Sequence, residues 1–264
     1  MTLACVVNVS EGRRIEVIRA LADAAGDHCL DIHADPHHHR SVFWLAGPDL
    51  QDAVRELART AVRTIDLREH DGVHPRIGVV DVVPFVPMDD TSSMADAVAQ
   101  RDAFAHWAGE TLQLPCFLYG AERTLPTVRR DAFTRAHPDA GPRQPHPTAG
   151  ACAVGARGPL VAYNLWLAQP DLGMAQAVAR ELRSDDVRTL ALRVGAHVQV
   201  SCNLVHPTVV GPAEVYDAVA ARTAVARAEL VGLIGRNVLA RIDTTRWAQL
   251  DLSENRTLEA RLRF

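Results

Sequence analysis

Residues 70–87 read HDGVHPRIGVVDVVPFVP. The segment opens with turn formers, Asp71-Gly72 and then His74-Pro75. It passes into an apolar run over 77–86, interrupted by Gly78, Asp81 and Pro84. β-Branched residues bounded by breakers predict a buried strand. A carboxylate inside such a strand has no cheap place in apolar surroundings, so Asp81 needs partners. His74 precedes Pro75, which biases it to an extended backbone and sets the direction of the chain. Arg76 follows, a permanent cation with a fork of donors. A titratable base, a fixed cation and a buried orienting carboxylate thus share one rigid segment, which is one way to build a site. The plainer reading of the same residues is a turn histidine, a surface arginine and a capped aspartate.

Outward from this strand the chain alternates in type. Residues 3–9 read as a strand ending in a polar turn at Asn8, Ser10, Glu11 and Gly12, and 13–25 has helical periodicity. Strand, turn and helix start together form a natural ligand cradle; Ser10 as an ordinary N-cap is the simpler alternative. Residues 29–33 and 40–46 predict a hairpin across Asp35-Pro36 and three histidines. Helices are expected over 50–65 and 94–112, and a short strand over 116–119. The first half therefore reads β-α-β-β-α-β with a helix and a strand appended, the split β-α-β or ferredoxin-like order. Residues 122–150 carry five prolines together with Arg129, Arg130 and Arg135, and predict an irregular connector.

The second half repeats that order. Strand 160–165, helix 172–182, hairpin 189–194 with 197–204, helix 212–227 and strand 229–234 give β-α-β-β-α-β again. The tail from 236 has some helical spacing and a strand-like end at 261–264. The expected fold class is α+β, with two ferredoxin-like subdomains, 1–148 and 149–264, side by side and a ligand groove between them.

The whole chain narrows the function classes. With 264 residues, 48% of them hydrophobic, it has material for a large core and is expected to be globular. A net charge of -4 argues against a general nucleic-acid binder. All 28 basic residues are arginine, a bias for which genomic codon usage is the plain explanation; it excludes Schiff-base chemistry on a lysine and leaves bidentate grip on carboxylates open. The five cysteines are odd in number and without CxxC spacing, so they read as small buried hydrophobes in a reducing compartment. Neither a signal peptide nor an apolar run of membrane-spanning length is apparent. A soluble, cytoplasmic protein without membrane or nucleic-acid partners is expected.

Four groups of residues could carry chemistry. His74, Arg76 and Asp81 form the first. His33, Asp35, His37, His38, His39 and Arg40 form the second; adjacent histidines seldom point at one ion and no Cys or Glu completes a familiar spacing, so no metal is expected. The Asn8-Ser10-Glu11 turn is the third. The fourth is the start of the second half, with Gly155, Asn164 and, in a similar strand position, Asn203. An amide inside a buried strand must find partners, either backbone or ligand. No phosphate-binding loop, dinucleotide fingerprint or nucleophile elbow occurs.

CVVNVSEG at the start, HPRIGVVDVVPFVP in the middle and LPCFLYG after it resemble the formiminotransferase domain family, as do GARGPLVAYNLWL, VQVSCNL and ELVGLIG later in the same order. The resemblance covers most of the chain. It implies two ferredoxin-like halves, usually in a homodimer, and transfer of a formimino group from N-formimino-L-glutamate to tetrahydrofolate as co-substrate, without metal. It implies that His74 is the catalytic acid and base. His33, or Asp35 on a shifted hairpin, stands where the family has an aspartate that works with that histidine. By the same resemblance Asn8, Ser10 and Glu11 face ligand, and Arg40 suits a substrate carboxylate. Arg76, Asp81, Gly155, Asn164 and Asn203 complete the expected substrate and folate contacts. His39 stands in place of an asparagine and Gly235 in place of a proline. The alternative is a diverged paralogue that binds folate without transferring anything.

Overall fold

The structure, a computed structural model, describes residues 3–89 and 91–262. It divides into two units, the first ending at Gly158 and the second starting at Pro159. In the first unit β1 (Leu3–Val9), α1 (Ile15–Ala25), β2 (Cys29–Asp35), β3 (Arg40–Ala46), α2 (Leu50–Thr64) and β4 (Val80–Pro87) follow the expected β-α-β-β-α-β order. Then come α3 (Met94–Thr111), β5 (Cys116–Tyr119), α4 (Leu125–Asp131) and β6 (Cys152–Ala156).

The strands lie in the order β2-β3-β1-β4-β6-β5. The pairs β2/β3, β3/β1 and β1/β4 are antiparallel, so each helix crossover, β1 to β2 and β3 to β4, spans an intervening strand. Beyond β4 the pairing turns parallel through β6 to β5. Alternation along the strands sends Cys5, Val7, Phe43, Leu45, Val83 and Phe85 into one core with Leu21, Leu57 and Phe104 of the helices. α2 shows why it packs there: Leu50, Ala53, Val54, Leu57, Ala58 and Ala61 recur at helical spacing and are buried. Val82, Phe117, Tyr119 and Ala153 gather in a separate cluster with Val128 of α4. α4 therefore covers part of the sheet face that the three long helices leave open.

Two features of this unit depart from the sequence expectation. The connector 122–150 is not wholly irregular: Thr124 caps the Thr127 N–H and Pro126 sits in the first turn of α4. Residues 152–156, placed by the expected boundary at 148/149 in the second half, form a strand between β4 and β5 of the first sheet. CAVGA has one β-branched residue, so the strand carries a weak sequence signal. Its smallness has a packing reason. A Cβ on Gly155 would lie 2.1 Å from the nearest atom of the Tyr119 ring.

The second unit comprises β7 (Val161–Leu167), α5 (Leu172–Leu182), β8 (Val187–Val194), β9 (His197–Leu204), α6 (Pro212–Ala220) and β10 (Val225–Val231). Its antiparallel sheet runs β10-β7-β9-β8, the same relative order as β4-β1-β3-β2. The expected helix 212–227 is shorter. The alanine-rich stretch after 220 has helical composition, but Val225–Val231 is captured as an edge strand on β7, tertiary pairing overriding propensity. The tail forms the short helices α7 (Arg236–Leu239) and α8 (Leu258–Arg261). It is tied down where the Tyr163 hydroxyl donates to the Leu250 carbonyl at 2.8 Å. Of the strand-like end expected at 261–264, Arg261 closes α8, and 263–264 lie outside the described residues. The cysteines are free thiols, and among the described residues no helix is long and apolar enough to cross a membrane.

Because the Tyr119 ring is itself buried, it cannot retreat from a methyl group at 155. Gly155→Ala is expected to destabilise the first unit by about 1–3 kcal/mol, the usual cost of overpacking. The fall of the urea midpoint measures it, and an unchanged midpoint contradicts the packing described.

Candidate active site around His74 and Asp81

The site begins with a fault in a strand ladder. Asn8 pairs with Val82, but Val9 pairs with Val80, so Asp81 is the extra residue of a β-bulge in β4. A bulge bends the strand and re-aims a side chain. Here it turns the Asp81 carboxylate toward Arg40 of β3 and Arg129 of α4. Arg40 Nη1 donates to Asp81 Oδ2 at 2.7 Å, and Arg129 Nη2 donates to the same oxygen at 2.6 Å. The Ile77 amide donates to Oδ1 at 2.7 Å, so the same carboxylate also closes the loop that leads into β4. Asp81 is 0% exposed. Burial alone raises its pKa, but Arg40, Arg129 and the Ile77 amide outweigh it, and the group stays ionised.

Arg40 is equally constrained. It is 9% exposed, and its Nε donates to Asn8 Oδ1 at 3.1 Å. Asn8 is oriented in turn by donating Nδ2 to the Val6 carbonyl. Arg76 braces the loop itself, donating from Nη2 to the carbonyls of Gly72 and His74 at 2.6 and 2.5 Å. Three guanidinium groups thus act on one carboxylate.

His74 sits in this field. Its Nδ1 lies 2.8 Å from the Pro75 carbonyl, which only accepts, so Nδ1 carries the proton and Nε2 keeps a lone pair. Burial first, then the charges of Arg40 and Arg129, push its pKa down to about 2. The imidazole is neutral at neutral pH. The ring of His38 meets it edge-on, with centroids 5.7 Å apart.

The other expected residues mostly hold the frame. Ser10 donates to the Gly78 carbonyl at 2.8 Å, and its amide to Val79. Glu11, fully buried, accepts from the amides of Arg13 and Arg14 and from the Arg14 side chain. Asp35 caps its own turn, accepting from the amides of His37 and His38 at 2.7 Å each. His33 lies in β2 opposite Val42, one strand removed from Asn8 in the same row of the sheet. Gly155 packs on Tyr119. In the second unit Asn164 is buried and donates to Glu229 at 3.0 Å. Asn203, expected inside a strand and in need of partners, is exposed. The structure therefore gathers His74, Arg76, Asp81, Arg40 and Asn8.

Two residues join this group that the sequence did not single out as ligands. Arg129 was visible only as one of several arginines in a proline-rich stretch; the Thr124 cap with Pro126 was the signal for its helix. His38 was read only as one member of the histidine cluster at 33–40. Among the described residues no three His, Cys, Asp or Glu side chains form a metal-ligand group. His39 and His70 instead stack on each other with centroids 4.1 Å apart. The His39 ring accepts from the Gly12 amide, and His70 bonds the His39 carbonyl and the Gly72 amide. Burial lowers the pKa of both rings.

These shifts have a sign that can be measured. Below about 6.5 the unfolded chain takes up a proton that folded His74 refuses down to about 2. Its contribution to stability is complete above the unfolded pKa and is lost as the pH falls. Asp81, with its lowered pKa, acts in the same direction in more acid solution. The urea midpoint should therefore fall from about pH 6.5 downward, and less steeply in His74→Gln between about pH 6.5 and about pH 4.5. His39 and His70 keep the residual slope from vanishing. Asp81→Leu should cost about 3–5 kcal/mol, since it strands two guanidinium groups.

Residues 2–157 match the family model described as "Formiminotransferase domain, N-terminal subdomain". A glutamate formimidoyltransferase of Streptococcus pyogenes serotype M1 is 38% identical over 200 residues, 68% of this chain and 67% of that protein. One of Thermoplasma acidophilum is 33% identical over 270 residues, 89% of this chain and 88% of that protein. The formimidoyltransferase-cyclodeaminase of Rattus norvegicus is 36% identical over 61% of this chain, but the match spans only 34% of that longer protein. The bulged strand, its histidine loop and the arginine pair all lie within the matched residues, and the chain belongs to the formiminotransferase domain family.

Proposed function

We propose that this chain is a glutamate formiminotransferase that moves a formimino group from N-formimino-L-glutamate to tetrahydrofolate, with His74 as general base and then general acid. The observation that carries the reading is the held tautomer of His74. Its Nδ1 is tied to the Pro75 carbonyl, and Nε2 is left with a lone pair. In transfer, the N5 amine of the folate attacks the formimino carbon and loses its proton to Nε2. The carbon–nitrogen bond to glutamate then breaks as the same proton returns to the departing nitrogen. The products are 5-formiminotetrahydrofolate and glutamate. An imidazole suits both halves because it is neutral beforehand and releases what it takes.

The relatives named glutamate formimidoyltransferase support this substrate pair, and the folate is a co-substrate on this reading. The rest of the proposal goes with it. The two β-α-β-β-α-β units are ferredoxin-like halves, the active protein is a homodimer, and it serves histidine degradation in the cytoplasm. Arg40 and Asp81 keep the site rigid, Arg76 holds the loop that carries His74, and Asn8 orients Arg40.

Purified protein mixed with formiminoglutamate and tetrahydrofolate should form 5-formiminotetrahydrofolate, followed by its absorbance. His74→Gln should lower kcat about 10²–10⁴-fold, the usual worth of a positioned acid–base group, with folate affinity kept. Folate binding without any turnover in the wild type would sink the enzymatic reading.

A further inference from the structure

We propose that Arg129 is the residue that grips a carboxylate of the amino-acid donor, with Asp81 serving as its anchor. This rests on the transfer reading above. Arg40, suited by its place in the sequence to a substrate carboxylate, is engaged inside the protein: Nε on Asn8 and Nη1 on Asp81, with the residue 9% exposed. Arg129 differs. It spends one N–H group, from Nη2, on Asp81, and its Nε is buried with no acceptor among the described residues. A charged donor left unpaired in the interior is costly, and such groups call for an explanation. The Arg129 side chain still shows a fifth of its surface. Its outer edge is therefore open to an anion, beside a donor that the protein leaves unpaired.

Charge balance points the same way. Asp81 accepts from Arg40, Arg129 and the Ile77 amide, while Arg76 adds a further cation nearby. The cluster carries more positive than negative charge until a ligand arrives. A planar two-oxygen anion matches a guanidinium edge better than a neutral amide or hydroxyl does. The consequence for the base is direct. His74 faces Arg40 from β3, Asp81 from β4, Arg129 from α4 and His38 from the β2–β3 turn. A carboxylate on Arg129 weakens the positive field at the imidazole, so the base gains strength when the donor is in place.

The test compares the full chain with Arg129→Gln, Arg129→Lys and Arg130→Gln. Arg130 is an exposed neighbour paired with Asp131 and serves as the control. Arg129→Gln should raise KM for formiminoglutamate about tenfold or more, the worth of a charged hydrogen bond, and leave KM for tetrahydrofolate in place. Arg129→Lys, which keeps the charge beside Asp81, should fall between, and Arg130→Gln should match wild type. Calorimetric titration with L-glutamate gives a second arm that needs no turnover: wild type binds and Arg129→Gln loses most of the affinity. Unchanged KM and unchanged glutamate affinity in a folded Arg129→Gln overturn the proposal. An equal rise of both KM values overturns it too, since that marks a structural role. Glutamate binding that depends on Arg129 in a wild type without turnover supports the anion grip and refutes the transfer reading alone. A wild type that binds no glutamate overturns the grip itself.

Discussion

The candidate site of the first unit is organised around one buried carboxylate. Asp81 joins a strand, the strand two places along the sheet, a short helix and the loop carrying His74. Burying an ion is expensive, and one cation does not always repay it. Two guanidinium groups and a backbone amide do so here, and the net effect is a carboxyl held below its ordinary range. The group works as a peg more than as a reagent. It accepts from three protein donors, and its task is to fix where positive charge and the imidazole stand.

The loop walls are set by backbone lying on backbone. A Cβ on Gly12 would fall 2.3 Å from the Asp35 carbonyl, and one on Gly72 would fall 2.3 Å from the His38 carbonyl. The turn between β2 and β3 is thus clasped on both sides by glycines that leave no room for a side chain. His39 adopts a positive φ of 50° within that turn. In this clasp the His39 ring accepts from the Gly12 amide, and the ring of His70, from the facing loop, bonds the His39 carbonyl and accepts from the Gly72 amide.

Much of the fold was legible because its signals are local. The breakers around 77–86, the amphipathic 50–64 and the hairpin at 29–46 each announce themselves by period or by turn residues. β6 did not, since CAVGA is small and short and becomes a strand only because β4 and β5 leave a slot for it. Arg227 was assigned to a helix by composition and lies in an edge strand instead. At the candidate site, His74, Arg76 and Asp81 drew attention through their shared segment, Asn8 through its polar turn and Arg40 through the histidine cluster it ends. Arg129 lies 48 residues along the chain from Asp81 and meets it only in three dimensions. Asp35, a candidate by resemblance, has one oxygen, Oδ1, accepting from two amides of its own turn.

The Asp81 carboxylate, bonded to the Ile77 amide, marks a seam between β4 and the loop that leads into it. Val79 and Val80 before the bulge and Val83 and Phe85 after it are buried in the core, while the loop upstream of Ile77 answers to whatever it must recognise. A seam of this kind lets the two portions change at different tempos. Drift in the interior portion leaves the aim of the loop untouched, and a new loop can be grafted at the seam without disturbing the β-ladder below it. Descendants of such a scaffold can therefore acquire new specificities by editing a handful of positions upstream of a single peptide unit.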